Sequence, residues 1–313
     1  GLNGSDTREA LRALAGRTLR SEVYARDGSE SENVPYTVST ATFEVRRVQA
    51  KGINRFGVYL PLDRESLSYH YERNPADPRI AHSLVIEADE YGTPLRGCSV
   101  VYGRRGASGY DEQHALHATL SEAQVVHLDG EADVLRLAVP IESRSYELHG
   151  LTAPSGAAFA WQALRDAADS ATPIAFTDAP TSGIEKRLLS RSRTRYMADD
   201  LSGPLAHGSV ESKALGYDAD AMAMTDDQRD AVFAGLTGAP TNTELTNEGG
   251  YILAGDAWWV RSGHPTYDAA KFYAVTAVTD PFGNVYTTQY DDHSLLTVST
   301  SDPLGNTLTV EHD

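Results

Sequence analysis

The sequence predicts a mainly β protein with a small helical insertion, and three observations carry that prediction. The end of the chain repeats a turn and a strand: Asp280-Pro281-Phe282-Gly283-Asn284 returns as Asp302-Pro303-Leu304-Gly305-Asn306 at a spacing of 22 residues. Most of the remainder consists of alternating or β-branched runs closed by Asp, Gly and Pro turn signals. Helical periodicity is confined to the stretch between about residues 154 and 236, apart from one short opening helix.

In chain order, Asp6 and Glu9 have the spacing of a capping box, with Leu11 and Leu14 on one face and Gly16 placed to end the helix. Strands are expected over 20–26, 36–48, 56–60 and 67–72. Two prolines make Arg73-Asn74-Pro75-Ala76-Asp77-Pro78 irregular. A hairpin over 81–88 and 95–102 follows, around Asp89-Glu90-Tyr91-Gly92, a weaker third copy of the terminal turn. Residues 103–109 form a loop, 111–119 are read as a helical turn, and 121–128 and 134–148 are strands joined at Asp129-Gly130. Helices are predicted over 154–170, with Trp161, Leu164 and Ala168 aligned, and from Ile184 to about Tyr196. A third begins at Thr225, with Gln228 in the capping-box position and Val232, Phe233 and Leu236 buried. Residues 249–260 return to β character before the repeats. The chain thus divides into a β-rich segment (1–150), a mixed segment with helices (151–240) and a β segment opening the repeats (241–313).

In each repeat Asp and Pro initiate the turn, and Gly-Asn tolerates positive φ. Asp280, Gly283 and Asn284, with Asp302, Gly305 and Asn306, are therefore the structural turn residues. Both copies end in an aromatic-Asp pair, Tyr290-Asp291 and His312-Asp313. Such short units bury a face only by stacking, so the array is expected to continue beyond residue 313.

The 27 Lys and Arg stand against 44 Asp and Glu, a formal net charge of −17. That balance excludes the basic footprint of a nucleic-acid binder and opposes adsorption to an anionic membrane. No apolar run approaches the ~20 residues that span a bilayer, so membrane insertion is not expected. The opening Gly1-Leu2-Asn3-Gly4 has neither Met nor a signal-peptide core, and the chain is expected to be an internal piece of something longer. The single Cys98, in a strand-like run, is read as a buried, inert thiol.

No convincing active site emerges. His114 and His117 with His127 lack the further ligands of a metal centre and read better as structural or surface histidines. Asp218, Asp220, Asp226 and Asp227 lack the spacing of a calcium loop, and helix capping explains the last two better. Arg187, Arg191 and Arg195, with Lys186 and Arg193, suit an anion site, but a solvated face or ion pairs in an acid-rich chain suit them better. Gly103-Arg104-Arg105-Gly106 lacks phosphate-loop spacing. Consecutive strand residues face opposite sides, so one of Trp258 and Trp259 is expected in the core. The other leaves an alternative open, a carbohydrate- or cell-surface-binding β module. A hydrolase with acids at strand ends is a third reading. No cofactor is implied.

The repeat unit resembles the YD repeats of the Rhs family. The stretch Tyr69-His70-Tyr71-Glu72-Arg73-Asn74-Pro75-Ala76-Asp77-Pro78-Arg79-Ile80 resembles a signature of the B component of bacterial insecticidal toxin complexes, the Tc toxins. So do Val100 to Arg105, Arg195 to Leu201, and Gly249-Gly250-Tyr251 with Trp258-Trp259. The resemblance implies a curved or spiralling antiparallel β-sheet of the Rhs/YD-repeat shell type, and a structural, non-catalytic, secreted segment. Its implied partners are the C subunit and the enclosed cytotoxic effector, with the A subunit engaged only through parts outside this chain. The loop Arg73, Asn74, Pro75, Asp77 and Pro78 is its most specific element.

Overall fold

The computed structural model describes residues 4–106, 109–155 and 158–312. The chain forms two compact units, Gly1–Glu122 with Ser145–Ile174 and Asp178–Leu189, and Ala123–Arg144 with Ala175–Thr177 and Ser190–Asp313.

The first unit holds helix α1 (Gly4–Arg12) and strands β1 (Arg20–Val23), β2 (Thr37–Gln49), β3 (Val58–His70), β4 (Arg79–Ala88) and β5 (Pro94–Val101). The short helix α2 (Asp111–His114) and the start of β6 (His117–Glu131) follow. The end of β7 (Val134–His149), helix α3 (Trp161–Ser170), β8 (Thr172–Ile174) and the start of β9 (Glu185–Met197) complete it. Neighbouring strands from β1 to β6 pair antiparallel, while β8 lies parallel to β9. Strict alternation buries Ile80, His82, Leu84 and Ile86 on one face of β4. Ile80, Leu84 and Ile86 join Cys98, Val100, Ala118 and Leu120 in a core that Leu164 and Ala168 of α3 cover. The Trp161 indole Nε1 donates to the Val85 carbonyl at 2.8 Å, which fixes the helix over the sheet.

The second unit takes the other parts of β6, β7 and β9 and adds β10 (Leu215–Thr225), helices α4 (Asp226–Phe233) and α5 (Asn242–Asn247), β11 (Ile252–Ala254) and β12 (Ala257–Val260). A separate five-stranded antiparallel meander runs through β13 (His264–Asp268), β14 (Ala274–Thr279), β15 (Val285–Tyr290), β16 (Thr297–Ser301) and β17 (Thr307–Thr309).

The mainly β, antiparallel prediction holds, and several local readings are corrected. The expected helix from Ile184 to Tyr196 is strand β9. Its Arg191-Ser192-Arg193-Thr194-Arg195 alternation has period two, and the arginines share a strand face opposite acids. The two strands expected over 56–60 and 67–72 are one, β3, which takes up an extra residue, Arg64, opposite Thr42 and Phe43 of β2 and continues to His70. Asp6 lies within the first turn of α1, and Ala10 is the buried residue while Leu11 is exposed. Helix α3 begins only at Trp161, not at Pro154. Strand β6 runs through Asp129-Gly130 to Glu131, moving the hairpin turn onward. The capping box of Thr225 and Gln228 forms, but α4 stops at Phe233 and leaves Val232 and Leu236 exposed. Helix α5, with a second capping box from Thr241 and Glu244, was not foreseen.

Candidate functional site

The repeat turns share one hydrogen-bond scheme. Asp280 Oδ1 accepts from the backbone N–H of Phe282 and of Asn284, both at 2.9 Å, and Oδ2 accepts from Asn284 Nδ2. Its carbonyl accepts from Gly283 N–H, and its own N–H donates to the Asn284 carbonyl. Asp302, Leu304, Gly305 and Asn306 reproduce every one of these bonds. Gly283 and Gly305 both sit at φ +85°, where a side chain is strained. The donors hold both aspartate carboxyls below the usual carboxylate range, Asn284 and Asn306 contributing most. The weaker copy has the same backbone scheme: Asp89 Oδ1 accepts from Tyr91 and Thr93, and Gly92 lies at φ +88°.

The repeat extends beyond the turn. Tyr290 OH donates to the Val275 carbonyl at 3.0 Å, and His312 Nε2 lies 2.8 Å from the Thr297 carbonyl, each partner 15 residues upstream. The antiparallel register puts the Asp280 and Asp302 turns at the same end of the meander. Asp313 lies outside the described residues.

In the first unit, the Asn-Pro loop is a joint between two of the sequence motifs. Asn74 Oδ1 accepts from Ala76 N–H, making a local turn. Asp77 Oδ2 accepts from Arg104 Nε and Nη2 at 3.0 and 2.6 Å, and Oδ1 accepts from Arg105 N–H at 2.7 Å. Arg104 thereby joins residues 69–80 to residues 100–105. Its guanidinium holds the Asp77 carboxyl well below the usual range, against a desolvation that pushes it up. Arg73, at φ +65°, makes a bidentate pair with Asp27 at 2.7 and 3.0 Å and lies over the Tyr36 ring. Pro75 is exposed and Pro78 buried.

A carboxylate with a depressed folded-state pKa contributes stability above its unfolded pKa, about 3.9, and loses it as pH falls through the folded value. Wild-type protein should therefore lose more stability than Asp77→Asn when pH drops below about 4. Urea midpoints at pH 7 and pH 3 test this, with a cost at pH 7 of about 1–3 kcal/mol for the variant. Equal pH slopes for the two proteins would refute it.

In the second unit, the arginines of β9 are consumed by ion pairs. Arg191 meets Glu142 at 2.9 and 3.0 Å, and Arg193 and Arg195 pair with the directly opposite Asp220 and Asp218. Burial raises the Glu142 carboxyl, but hydrogen bonds from Arg191 and Arg144 outweigh it and leave it lowered. Arg191 and Arg193 also lie over the Trp259 ring, at 5.2 and 4.1 Å from its centroid. In the first unit, Arg187 pairs with Glu147 at 3.2 Å and Lys186 with Glu122 at 3.2 Å.

The expectation that one of Trp258 and Trp259 stays outside the core is corrected: both are fully buried. Trp258 Nε1 donates to Asp226 Oδ1 at 2.8 Å, and Trp259 Nε1 donates to the Ala254 carbonyl. Neither ring offers a face to a sugar. Both sides of β12 are covered, which its consecutive apolar residues Ala257, Trp258 and Trp259 signalled.

His114 Nδ1 and His117 Nε2 lie 3.1 Å from the carbonyls of Arg104 and Glu112. Among the described residues no group of three or more His, Cys, Asp or Glu is arranged to hold a metal ion. Burial pushes the Cys98 thiol up to about 11, which makes it a poor nucleophile.

Comparison with known families now adds to this geometry. Residues 9–148 match the insecticide toxin TcdB middle/C-terminal region, and residues 274–307 match the RHS repeat. Each match covers less than half of the chain and marks what that part is similar to. The Asp77–Arg104 joint lies inside the TcdB region, and both Asp-Pro-x-Gly-Asn turns lie inside the RHS match. No curated protein matches the chain significantly.

Solved structures share the fold over its full length. The crystal structure of TcdB2-TccC3-Cdc42 matches with a TM-score of 0.79 at 24% identity, covering 100% of this chain and 15% of that one. A Photorhabdus luminescens Tc holotoxin pore, carrying the mutation TccC3-D651A, gives 0.80 at 24% identity over 99% of this chain and 15% of that one. TcdB2-TccC3 gives 0.74 at 24% identity, with 100% and 17% covered. The chain thus spans about one sixth of the length of the solved chains it matches.

Proposed function

We propose that this chain is a structural segment of a toxin-complex B subunit, part of the wall of a hollow β-shell that encloses a cytotoxic effector for delivery. The observation that carries the reading is the combination, in one chain, of the TcdB region with RHS turns that repeat bond for bond. The titratable residues singled out in the sequence agree with a role without catalysis. Asp77 is engaged by Arg104, Asp220 and Asp218 are engaged by Arg193 and Arg195 of β9, and Cys98 is buried. On this reading the partners are a C subunit and its enclosed effector, the A subunit is engaged through other parts of the protein, and the assembly acts outside the producing cell. Asp280, Gly283, Asn284, Asp302, Gly305 and Asn306 set the wall repeat, and Arg73, Asn74, Pro75, Asp77 and Pro78 form its joint.

The test is protection of the effector. The complete B subunit is co-expressed with its C subunit, and the complex is treated with protease. The effector should survive in the wild-type complex. It should become cleavable when Gly283 and Gly305 are both replaced by Val, which the left-handed turns disfavour. Unchanged protection in a variant whose turns are shown to be disrupted would overturn the reading, as would substrate turnover by this chain itself.

A further inference from the structure

We propose that the cavity walled by Arg46, Arg64, Arg96 and Arg165 docks an acidic polypeptide segment, whose carboxylates take the place of Glu44 and Asp169 on the four guanidiniums. The proposal is independent of the shell reading and concerns the first unit alone.

The cavity measures about 620 Å³, and its arginines come from four elements, β2, β3, β5 and α3. Three acids line it with them, Glu44, Glu87 and Asp169, which leaves one formal positive charge in excess. The chain as a whole stands at −17, so the cavity inverts the sign of the protein around it. Two of the acids are shared. Glu44 lies 3.1 Å from Arg64 and 3.7 Å from Arg46, and Asp169 lies 2.7 Å from Arg96 and 3.7 Å from Arg165. A guanidinium offers a planar fork of N–H donors. Among the described residues these four make three hydrogen bonds, Arg46 to the Asp89 carbonyl, Arg64 to Glu44 and Arg96 to Asp169. Arg165 has only its longer contact to Asp169 and the Trp161 ring. Donor capacity therefore exceeds what the protein itself uses.

Trp161 orders the arrangement. Arg64 lies over its indole at 3.8 Å from the centroid, and Arg165 at 5.4 Å. A guanidinium stacked on a ring keeps its plane while its edge stays available to a carboxylate. Ordering before a partner arrives lowers the entropy cost of docking. The two arginine pairs surround two different carboxylates, one on β2 and one on α3. A chain with neighbouring Asp or Glu residues can replace both together, and linking the two contacts adds to its affinity. A single free anion replaces only one. The acids that give way have side chains 42% and 45% exposed, so their existing pairs are weak competitors.

The probe is a fluorescein-labelled hexaglutamate peptide, its anisotropy read against the concentration of this chain at low ionic strength. Saturable binding is expected. Unlabelled peptide should also change the tryptophan emission, because Trp161 is half-buried while Trp258 and Trp259 are sealed inside. Arg165→Gln, at a side chain 48% exposed and therefore safe for the fold, should weaken binding about tenfold. Asp169→Asn removes an internal competitor and should tighten binding about threefold. Glu131→Gln makes the same change of charge outside the cavity and should leave the affinity as it is. Inorganic phosphate should displace the peptide only far above the peptide's own concentration. Absence of saturable binding overturns the proposal, as does wild-type affinity in Arg165→Gln. An equal gain in Glu131→Gln and Asp169→Asn would reduce the effect to net charge and overturn it too. Displacement by phosphate at the peptide's concentration would do the same, by making this a site for free oxyanions.

Discussion

Trp259→Ala is expected to destabilise the second unit by about 3–5 kcal/mol, the range for truncating a buried Trp. The side chain is 1% exposed and lies in β12, with Met222 of β10 and Ile252 of β11 as its cross-strand partners. Three losses coincide. Contacts are lost around a cavity that a β-sheet flanked on both edges closes poorly. The Ala254 carbonyl loses its indole donor. Arg191 and Arg193 lose the ring beneath them, worth about 0.5–2 kcal/mol for a cation–π contact. Trp259→Phe keeps a ring under the arginines and should recover more than half of the loss. Urea unfolding followed by far-UV circular dichroism measures both variants. A loss under 1 kcal/mol for the alanine variant would mean that the indole is not part of the packed interior. The Trp platform that the sequence left open would then need reconsideration.

What could be read from the sequence was set by the range over which the controlling interaction acts. The repeat turns were legible because each closes on itself within five residues: Asp280 finds its donors at Phe282 and Asn284. The same holds for the capping box at Thr225 and for Asp89, whose weak sequence match conceals the same backbone scheme. Strand β9 was misread because Arg187, Arg191 and Arg195 satisfy a helical spacing of four and a strand spacing of two at once. The serine and threonine between the later arginines were the signal that favours the strand. The partners of those arginines were not legible at all. Glu142 lies 49 residues from Arg191, and Asp218 lies 23 from Arg195, so the pairing exists only once the sheet has formed. Trp258 and Trp259 illustrate the same limit. Alternation predicts one side of a strand buried, and only the placement of Asp226 on one side and the β9 arginines on the other covers both.

Arg193→Ala is expected to cost about 3–5 kcal/mol, more than a surface ion pair could account for, because of what it leaves behind. The Asp220 side chain is 2% exposed, and its Oδ2 is held by Arg193 Nε and Nη2 at 3.0 and 2.9 Å. Its Oδ1 is buried without a hydrogen-bond partner among the described residues, so the guanidinium is the principal compensation for this charge. Removing Arg193 therefore strands a carboxylate in the interior, whereas removing both charges does not. The double variant Arg193→Ala/Asp220→Asn should be more stable than Arg193→Ala alone by about 1–2 kcal/mol, although it carries one more substitution. A surface pair of the same geometry would give the opposite order, since each truncation would add a small independent loss. Urea midpoints of the wild type, both single variants and the double variant decide between the two. A double variant less stable than Arg193→Ala would show that Asp220 reaches water or another donor when its partner is gone. The ion pairs of β9 would then be surface decoration on the sheet, with the tryptophan beneath them carrying its stability.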